Sequence, residues 1–404
     1  MNYGGIDLSH PAALVLEDGS VFRGISIGAQ SGVSSTTVGE VVFNTSLSGY
    51  QEILTDPSYT DQFIALTCPH IGNVGINIED FESQKIYAQG LIIRQLPFKT
   101  SNWRQYQSLN EFLIAQNVVG IAEIDTRRLT QLIREQGAMK GTIITGQAID
   151  DTMIAQGTEQ AQAWHGLPGV NLAQTVTTAT PYYWQGGGQW QPQSPFSSTV
   201  LAPPKFRVLA YDFGIKFSSL RQLHDLGCEI LVVPANMEAS EALSYQPDGI
   251  FLSNGPGDPG ACTEAIFAVQ AFLKAQIPLF GICLGHQLLA LASGGSTRKM
   301  KFGHHGGNHP VKDLKQNKVM ITSQNHGFVV DEVSLPAALT ITHRSLFDQS
   351  IQGLRHKYAP ALSFQGHPEA GPGPTDGYGL FDDFLKLMEN HKLLSSTSSV
   401  TKIV

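Results

Sequence analysis

Charge is scarce in this 404-residue chain: Asp, Glu, Lys and Arg together make 15%, and cysteine occurs only four times. The formal net charge of -8 argues against a phosphate backbone or an anionic membrane surface as the main partner. Cys68, Cys228, Cys262 and Cys283 form no C-x-x-C pair and no dense framework, so a reducing compartment fits better than a disulfide scaffold. No apolar run approaches the ~18 residues of a membrane span. The opening MNYGGIDLSHP has neither the basic flank nor the apolar core of a signal peptide. A cytoplasmic protein with no nucleic-acid and no membrane partner is the expectation. No G-x-x-x-x-G-K-[ST] segment occurs, so no ATP-holding loop is expected on this chain. No internal repeat suggests a solenoid.

What is present is globular: 42% hydrophobic residues and 41 glycines, in a length that suggests more than one core. Between Thr175 and Lys205 the sequence TVTTATPYYWQGGGQWQPQSPFSSTVLAPPK is rich in Gly, Gln, Ser and Pro and reads as a linker. The expected division is therefore a domain at 1–174, a linker at 175–204, a second domain at 205–392 and a frayed tail at 393–404. In the first domain, short strand-like runs alternate with turns, and helical patterns follow at SLNEFLIAQN and DTRRLTQLIREQG. Asp125 or Thr126 can cap the second helix and Gly137 can end it. After the linker, apolar runs alternate with helix-period segments, the pattern of a parallel sheet covered on both faces. From Met300 to Gln365 short strand candidates take over: VMITS, ALTIT, SIQGL and ALSF.

The segment PLFGICLGHQLLALASGG places Cys283 between Gly281 and Gly285, after an apolar run and before a helix pattern. G-x-C-x-G is the spacing of a sharp strand-to-helix turn that presents a nucleophile. Residues without Cβ are needed on either side because the turn is strained and the chain closely approached. A thiol at that helix start gains from the dipole and the free N–H groups, and the Leu284 N–H points where an oxyanion forms. On the pentapeptide alone Cys283 is as well read as a small buried hydrophobe. SFQGHPEAGPG changes the balance, because ALSF delivers His367 and, two residues on, Glu369. An imidazole takes the thiol proton and a carboxylate fixes the imidazole tautomer.

DGIFLSNGPGDPGACTEA puts Gly255 and Gly257 between a strand and a helix. It matches G-x-G-x-x-G literally, but it does not open the domain's first strand-helix unit. From Ala265 to Lys312 no Asp or Glu occurs, leaving no acidic residue where a ribose needs one. The loop is better read as a giver of N–H groups to an anion, such as a second oxyanion donor. His304, His305 and His309 in FGHHGGNHPV raise a metal question. Without a nearby carboxylate or thiol they are read as a turn packed near the site, with no metal.

Together, LSNGPGDP, FGICLGHQ and QGHPE resemble the three signature segments of the triad (class I) glutamine amidotransferases. EVVFNTSLSGYQEILTDPSY, PHIGNVG, AEIDTRRLT, YDFGIK and KFGHHGGNHPV resemble the small, glutamine-hydrolysing chains of carbamoyl-phosphate synthases, and the likeness runs from about Ala13 to Leu387. Cys68, where an aromatic is expected, and the Gln- and Gly-rich linker depart from the pattern. The resemblance implies an α/β fold: an N-terminal α/β small-chain domain, then a flavodoxin-like class I glutamine amidotransferase domain with a mostly parallel sheet. It implies Cys283 as nucleophile, His367 as base and Glu369 as its orienter. Ser58, Gly255, Gly257, Leu284, Gln287, Asn325, Gly327 and Phe328 match the L-glutamine-binding positions.

The same resemblance implies hydrolysis of glutamine for carbamoyl phosphate synthesis, serving arginine and pyrimidine biosynthesis. The partner is then a carbamoyl-phosphate synthase large chain in a heterodimer or larger assembly. No cofactor is expected on this chain, with ATP and Mg on the large chain. Three other readings compete: an amidotransferase subunit of a different synthase, a cysteine hydrolase on a similar scaffold, and a non-catalytic homologue. The N-terminal half argues against the first, the GPGDP loop against the second and the complete Cys, His and Glu set against the third.

Overall fold

The computed structural model describes residues 2–3, 6–7, 10–29, 35–146, 148–189 and 203–400. The chain divides into two units, Met1–Val170 with Met300–Gly307, and Asn171–Lys299 with Asn308–Val404.

The first unit is built on a closed barrel, with strands in the order Pro11–Leu16, Val21–Gly28, Val119–Ala122, Gly90–Ile92, Gln62–Leu66, Ser35–Asn44 and Met139–Thr145. Alternation along the strands gives each side chain its face. Leu14 and Ile143 join the cluster with Phe63 and Ile121, whereas Ala13, Val15 and Ile144 turn to the other side, beneath Met153 and Ile154. The helix Asp151–Ala163 lies close on that side, because a Cβ on Gly157 would come within 2.8 Å of Ile144 Cδ1. Both expected helices form. Leu109–Ala115 starts in a capping box between Ser108 and Glu111. Thr126–Gln136 is capped by Asp125, whose side chain accepts from Arg128 N–H, and ends at Gly137 with φ 113°. Barrel closure was not legible locally, since it depends on pairings far apart in sequence, such as Ala12 with Thr145.

In the second unit Cys228–Pro234, Phe206–Asp212, Gly249–Leu252, Leu279–Ile282 and Ala361–Phe364 are neighbours in that order and run parallel. Ile351–His356 and Leu339–Ser345 then add on antiparallel. Both faces are covered, as the near-continuous apolar runs require. Leu209 and Tyr211 face Val269, Phe272 and Leu288, while Val208 and Ala210 face Phe381, Phe384 and Met388. Phe280 packs edge-on against Phe251 and Phe381, centroids 5.8 and 5.5 Å apart, a geometry worth ~0.5–1.5 kcal/mol per pair beyond area burial.

Three segments differ from expectation. The part of the linker that is described is docked: Tyr182 and Tyr183 pair antiparallel with Val232 and Leu231, Thr178 N–H donates to Asp212 Oδ2 at 2.7 Å, and Trp184 packs on Phe217. Two paired residues are too short a run to show a strand period. Residues 190–202 lie outside the described residues. The last helix, Gly379–Val400, continues past 392, where a tail was expected, and 401–404 lie outside the described residues. FGHHGGNHPV is part of the strand Thr297–Asp313 rather than a turn. Gly303 at φ 73° and Gly306 at φ 157° supply conformations that mimic a turn signal in the sequence.

Candidate active site

The strand Leu279–Ile282 ends where the helix Leu284–Ala292 begins, and Cys283 is the single residue between them, at φ 53° and ψ -102°. An L-residue is strained there. The strain is held by close contacts on both sides. A Cβ on Gly281 would collide with the Gly285 carbonyl, and one on Gly285 with the Leu252 carbonyl. Cys283 N–H donates to Phe364 O at 2.9 Å, and Gly285 N–H to Ser253 O at 3.1 Å. Cys283 is 2% exposed, and its Sγ lies 3.4 Å from Asn325 O. As the first helical residue, Leu284 has an N–H with no intrahelical acceptor.

Register brings the imidazole to the same place. Ile282 pairs with Phe364 in adjacent parallel strands, so both segments leave the sheet at its carboxyl edge, where open α/β sheets bind ligands. His367 N–H donates to Ser323 O at 2.8 Å, which ties the QGHPE turn to the strand Lys318–Val330. His367 Nδ1 lies 2.7 Å from Glu369 Oε1. Both side chains are buried. His367 Nε2 has no hydrogen-bond partner among the described residues. Cys283 Sγ donates to Asn325 O, and its side chain is among the groups that raise the His367 pKa.

Electrostatics follows from this burial. Desolvation is the largest single effect and would lower the His367 pKa, but the Glu369 carboxylate and Cys283 together offset both it and the opposing Lys216, and the net direction is up. For Glu369 desolvation would raise the pKa, while Lys216 and His367 overrule it and keep the carboxylate ionised. Lys216, in the segment YDFGIK, is a functional residue that the sequence reading misses. It is 1% exposed, its Nζ lies 3.1 Å from Glu369 Oε1, and it also donates to Ala370 O. Asn254 helps to place it, accepting from Lys216 N–H at 3.3 Å and donating to Gly214 O at 2.8 Å. The available signal was a lysine set among apolar residues in DFGIKF.

Of the expected glutamine positions in the second unit, Gly255, Leu284, Gln287, Asn325 and Phe328 are linked by contacts around this turn. Gly255 packs so tightly that a Cβ would clash with Phe213 O and reach 2.9 Å from Leu284 Cδ2. Gly257 adopts φ 89°. Gln287 Nε2 donates to Phe328 O at 2.8 Å, and Lys299 Nζ lies 5.2 Å over the Phe328 ring. Asn325 and Gly327 lie in the same strand, Lys318–Val330. Ser58 belongs to the first unit, buried in the short helix Pro57–Tyr59 with its N–H bonded to Asp56 Oδ1 at 2.9 Å. His304 and His305 also belong to that unit, with His305 5.9 Å from the Tyr59 ring, whereas His309 belongs to the second and contacts Phe347. No three His, Cys, Asp or Glu side chains among the described residues cluster so as to hold a metal ion.

Two family models match the chain. Residues 14–143 match the carbamoyl-phosphate synthase small chain, CPSase domain, and residues 209–387 match glutamine amidotransferase class-I. A relative from Vibrio parahaemolyticus named carbamoyl phosphate synthase small chain is 57% identical over 386 residues, covering 95% of this chain and 100% of the relative. Relatives of the same name from Salmonella typhimurium and Escherichia coli K12 are 57% and 56% identical over 382 residues, each alignment covering 94% of this chain and 98% of the relative.

Proposed function

Because the chain belongs to the carbamoyl phosphate synthase small-chain family, as the glutamine-hydrolysing subunit, we propose that it releases ammonia from L-glutamine through a Cys283 thioester and passes it to a separate large chain. The observation that carries this reading is the strained Cys283, φ 53°, beside a buried His367–Glu369 pair 2.7 Å apart.

The Cys283 sulfur, its proton given to His367, attacks the side-chain carboxamide carbon of L-glutamine. The oxygen that becomes negative is met by the Leu284 and Gly257 N–H groups, fixed donors in a site shielded from water. His367 returns its proton to the nitrogen as the C–N bond breaks, so ammonia leaves and a γ-glutamyl thioester remains. Water, deprotonated by His367, then attacks the thioester carbon. Glutamate departs and Cys283 recovers its proton. Glu369 holds the ring and stabilises its cationic form throughout.

Gly255, Gln287, Asn325, Gly327 and Phe328 are the proposed glutamine contacts beside this turn, and Ser58 is a further one carried by resemblance alone. Free ammonia is protonated and dilute near neutral pH, so a synthetic use requires an acceptor at hand. The acceptor in this reading is carboxyphosphate, made from bicarbonate and ATP with Mg on the large chain. The complex is a heterodimer or larger assembly in the cytoplasm and supplies arginine and pyrimidine synthesis. No helix among the described residues is long and apolar enough to cross a membrane. The test is Cys283→Ser: glutamate release should fall by at least ~10³-fold, as for loss of a triad nucleophile. Turnover near the wild-type rate would contradict the mechanism.

A further inference from the structure

Gln287 and Gln365 form a buried pair of carboxamides beside the Cys283 turn. Gln287 lies one helical turn on from Cys283, its backbone N–H donating to Cys283 O at 3.2 Å. Its side-chain Nε2 donates to Phe328 O at 2.8 Å and to Gln365 Oε1 at 3.1 Å. A main-chain carbonyl can only accept, so Phe328 O settles which end of the Gln287 carboxamide is nitrogen. That settles Gln365 in turn, since the reversed amide would set one NH₂ against another. With both hydrogens of Nε2 committed, Gln287 has only its Oε1 to offer. No described residue donates to that oxygen.

Gln365 is a poor choice for stability alone. It is 0% exposed, and its Nε2 has no hydrogen-bond partner among the described residues. A buried donor left unpaired is destabilising, and an apolar side chain of similar length would avoid the loss. Its main-chain N–H is already used, donating to Gln352 O at 2.8 Å. What the Gln365 side chain does is accept from Gln287.

We propose that Gln365 is a positioning residue for substrate selection, holding the Gln287 carboxamide so that Oε1 faces the substrate as an acceptor for the α-ammonium group of L-glutamine. This rests on reading Gln287 as a glutamine contact. L-Glutamine carries two donor groups, the side-chain amide and the α-ammonium. The amide nitrogen leaves as ammonia and faces His367, which protonates it, so the ammonium is the donor that remains for Gln287.

The experiment measures KM and kcat for glutamate release, and the inhibition constant of glutaramate, which keeps the carboxamide and carboxylate of glutamine but lacks the amino group. Gln365→Met removes the acceptor at nearly constant length, and Gln365→Glu keeps an oxygen facing Gln287. The expected result for Gln365→Met is a KM raised about fivefold, the worth of one hydrogen bond, with kcat nearly unchanged and glutaramate binding unaltered. Gln365→Glu should stay close to the wild type in KM. An unchanged KM in Gln365→Met, or an equal weakening of glutaramate, would overturn the proposal. If Gln365→Met does not fold, Gln365→Glu decides, because a KM raised as far as about fivefold there, the same one-bond loss, overturns it. A wild-type chain that hydrolyses no glutamine would instead strike the reading of the site itself.

Discussion

Lys216 Nζ lies 3.1 Å from Glu369 Oε1, and the two side chains are 2% and 0% exposed. The same oxygen accepts from His367 Nδ1 at 2.7 Å, so one carboxylate answers two buried cationic groups. Lys216 keeps Glu369 ionised and at the same time holds down the rise in the His367 pKa. A residue on the first turn after the strand Phe206–Asp212 thereby helps to set the charge state of the buried His367–Glu369 pair.

Lys216→Met should therefore do more than remove a salt bridge. It leaves the buried Glu369 without its lysine partner, and breaking one side of a buried pair typically costs about 3–5 kcal/mol. Urea unfolding measures this directly, and glutamate release should fall in parallel. A stability change below ~1 kcal/mol, the range of an exposed pair, would show that the pair is not desolvated as described.

The pH dependence has a fixed sign. The His367 pKa is raised in the folded chain from an ordinary value of 6.5, chiefly by Glu369 against the opposing effect of burial. A raised histidine contributes stability that is complete below pH 6.5 and is lost as pH rises through the folded value. Glu369 is depressed from 4.5, so its contribution is present above pH 4.5 and is lost on acidification. The unfolding free energy of the wild type minus that of His367→Asn should shrink as pH is raised from 6.5 into the alkaline range. A difference that is flat or grows over that range would contradict the assigned charge state.

The two glycines around Cys283 should be intolerant for a steric reason. A Cβ at Gly285 meets the Leu252 carbonyl, and one at Gly281 meets the Gly285 carbonyl, so backbone and not a flexible side chain would have to move. Gly281→Ala and Gly285→Ala should each lose several kcal/mol, about 3 or more, or fail to accumulate. Gly379 has open space around its Cβ position, and Gly379→Ala should be near neutral when all three variants are compared by thermal unfolding. Equal tolerance at all three positions would contradict the close packing of the turn.

Much of this site was readable because its chemistry is local in sequence. Gly281 to Gly285 encodes the turn by spacing, and His367 and Glu369 are two residues apart, so their hydrogen bond needs only one short segment. The second domain's parallel sheet was likewise legible from alternating apolar runs and helix periods. What escaped depends on long-range contacts. Lys216 meets Glu369 across 153 positions, and nothing around YDFGIK states that its ammonium is buried. The Gln287–Gln365 pair spans 78 positions, and each glutamine alone reads as an ordinary polar residue. The barrel is closed by pairing of Pro11–Leu16 with Met139–Thr145, which no local pattern declares. The edge strand Tyr182–Tyr183 lies in a segment whose Gly and Gln content masks it.

The measurement that bears most directly on the central claim is glutamate release from L-glutamine by the purified chain, alone and then with a carbamoyl phosphate synthase large chain, ATP and bicarbonate. The expected result is slow release by the chain alone, a sharp increase in the full mixture, and loss of both in Cys283→Ser. No release under either condition would contradict the claim and return Cys283 to a small buried thiol.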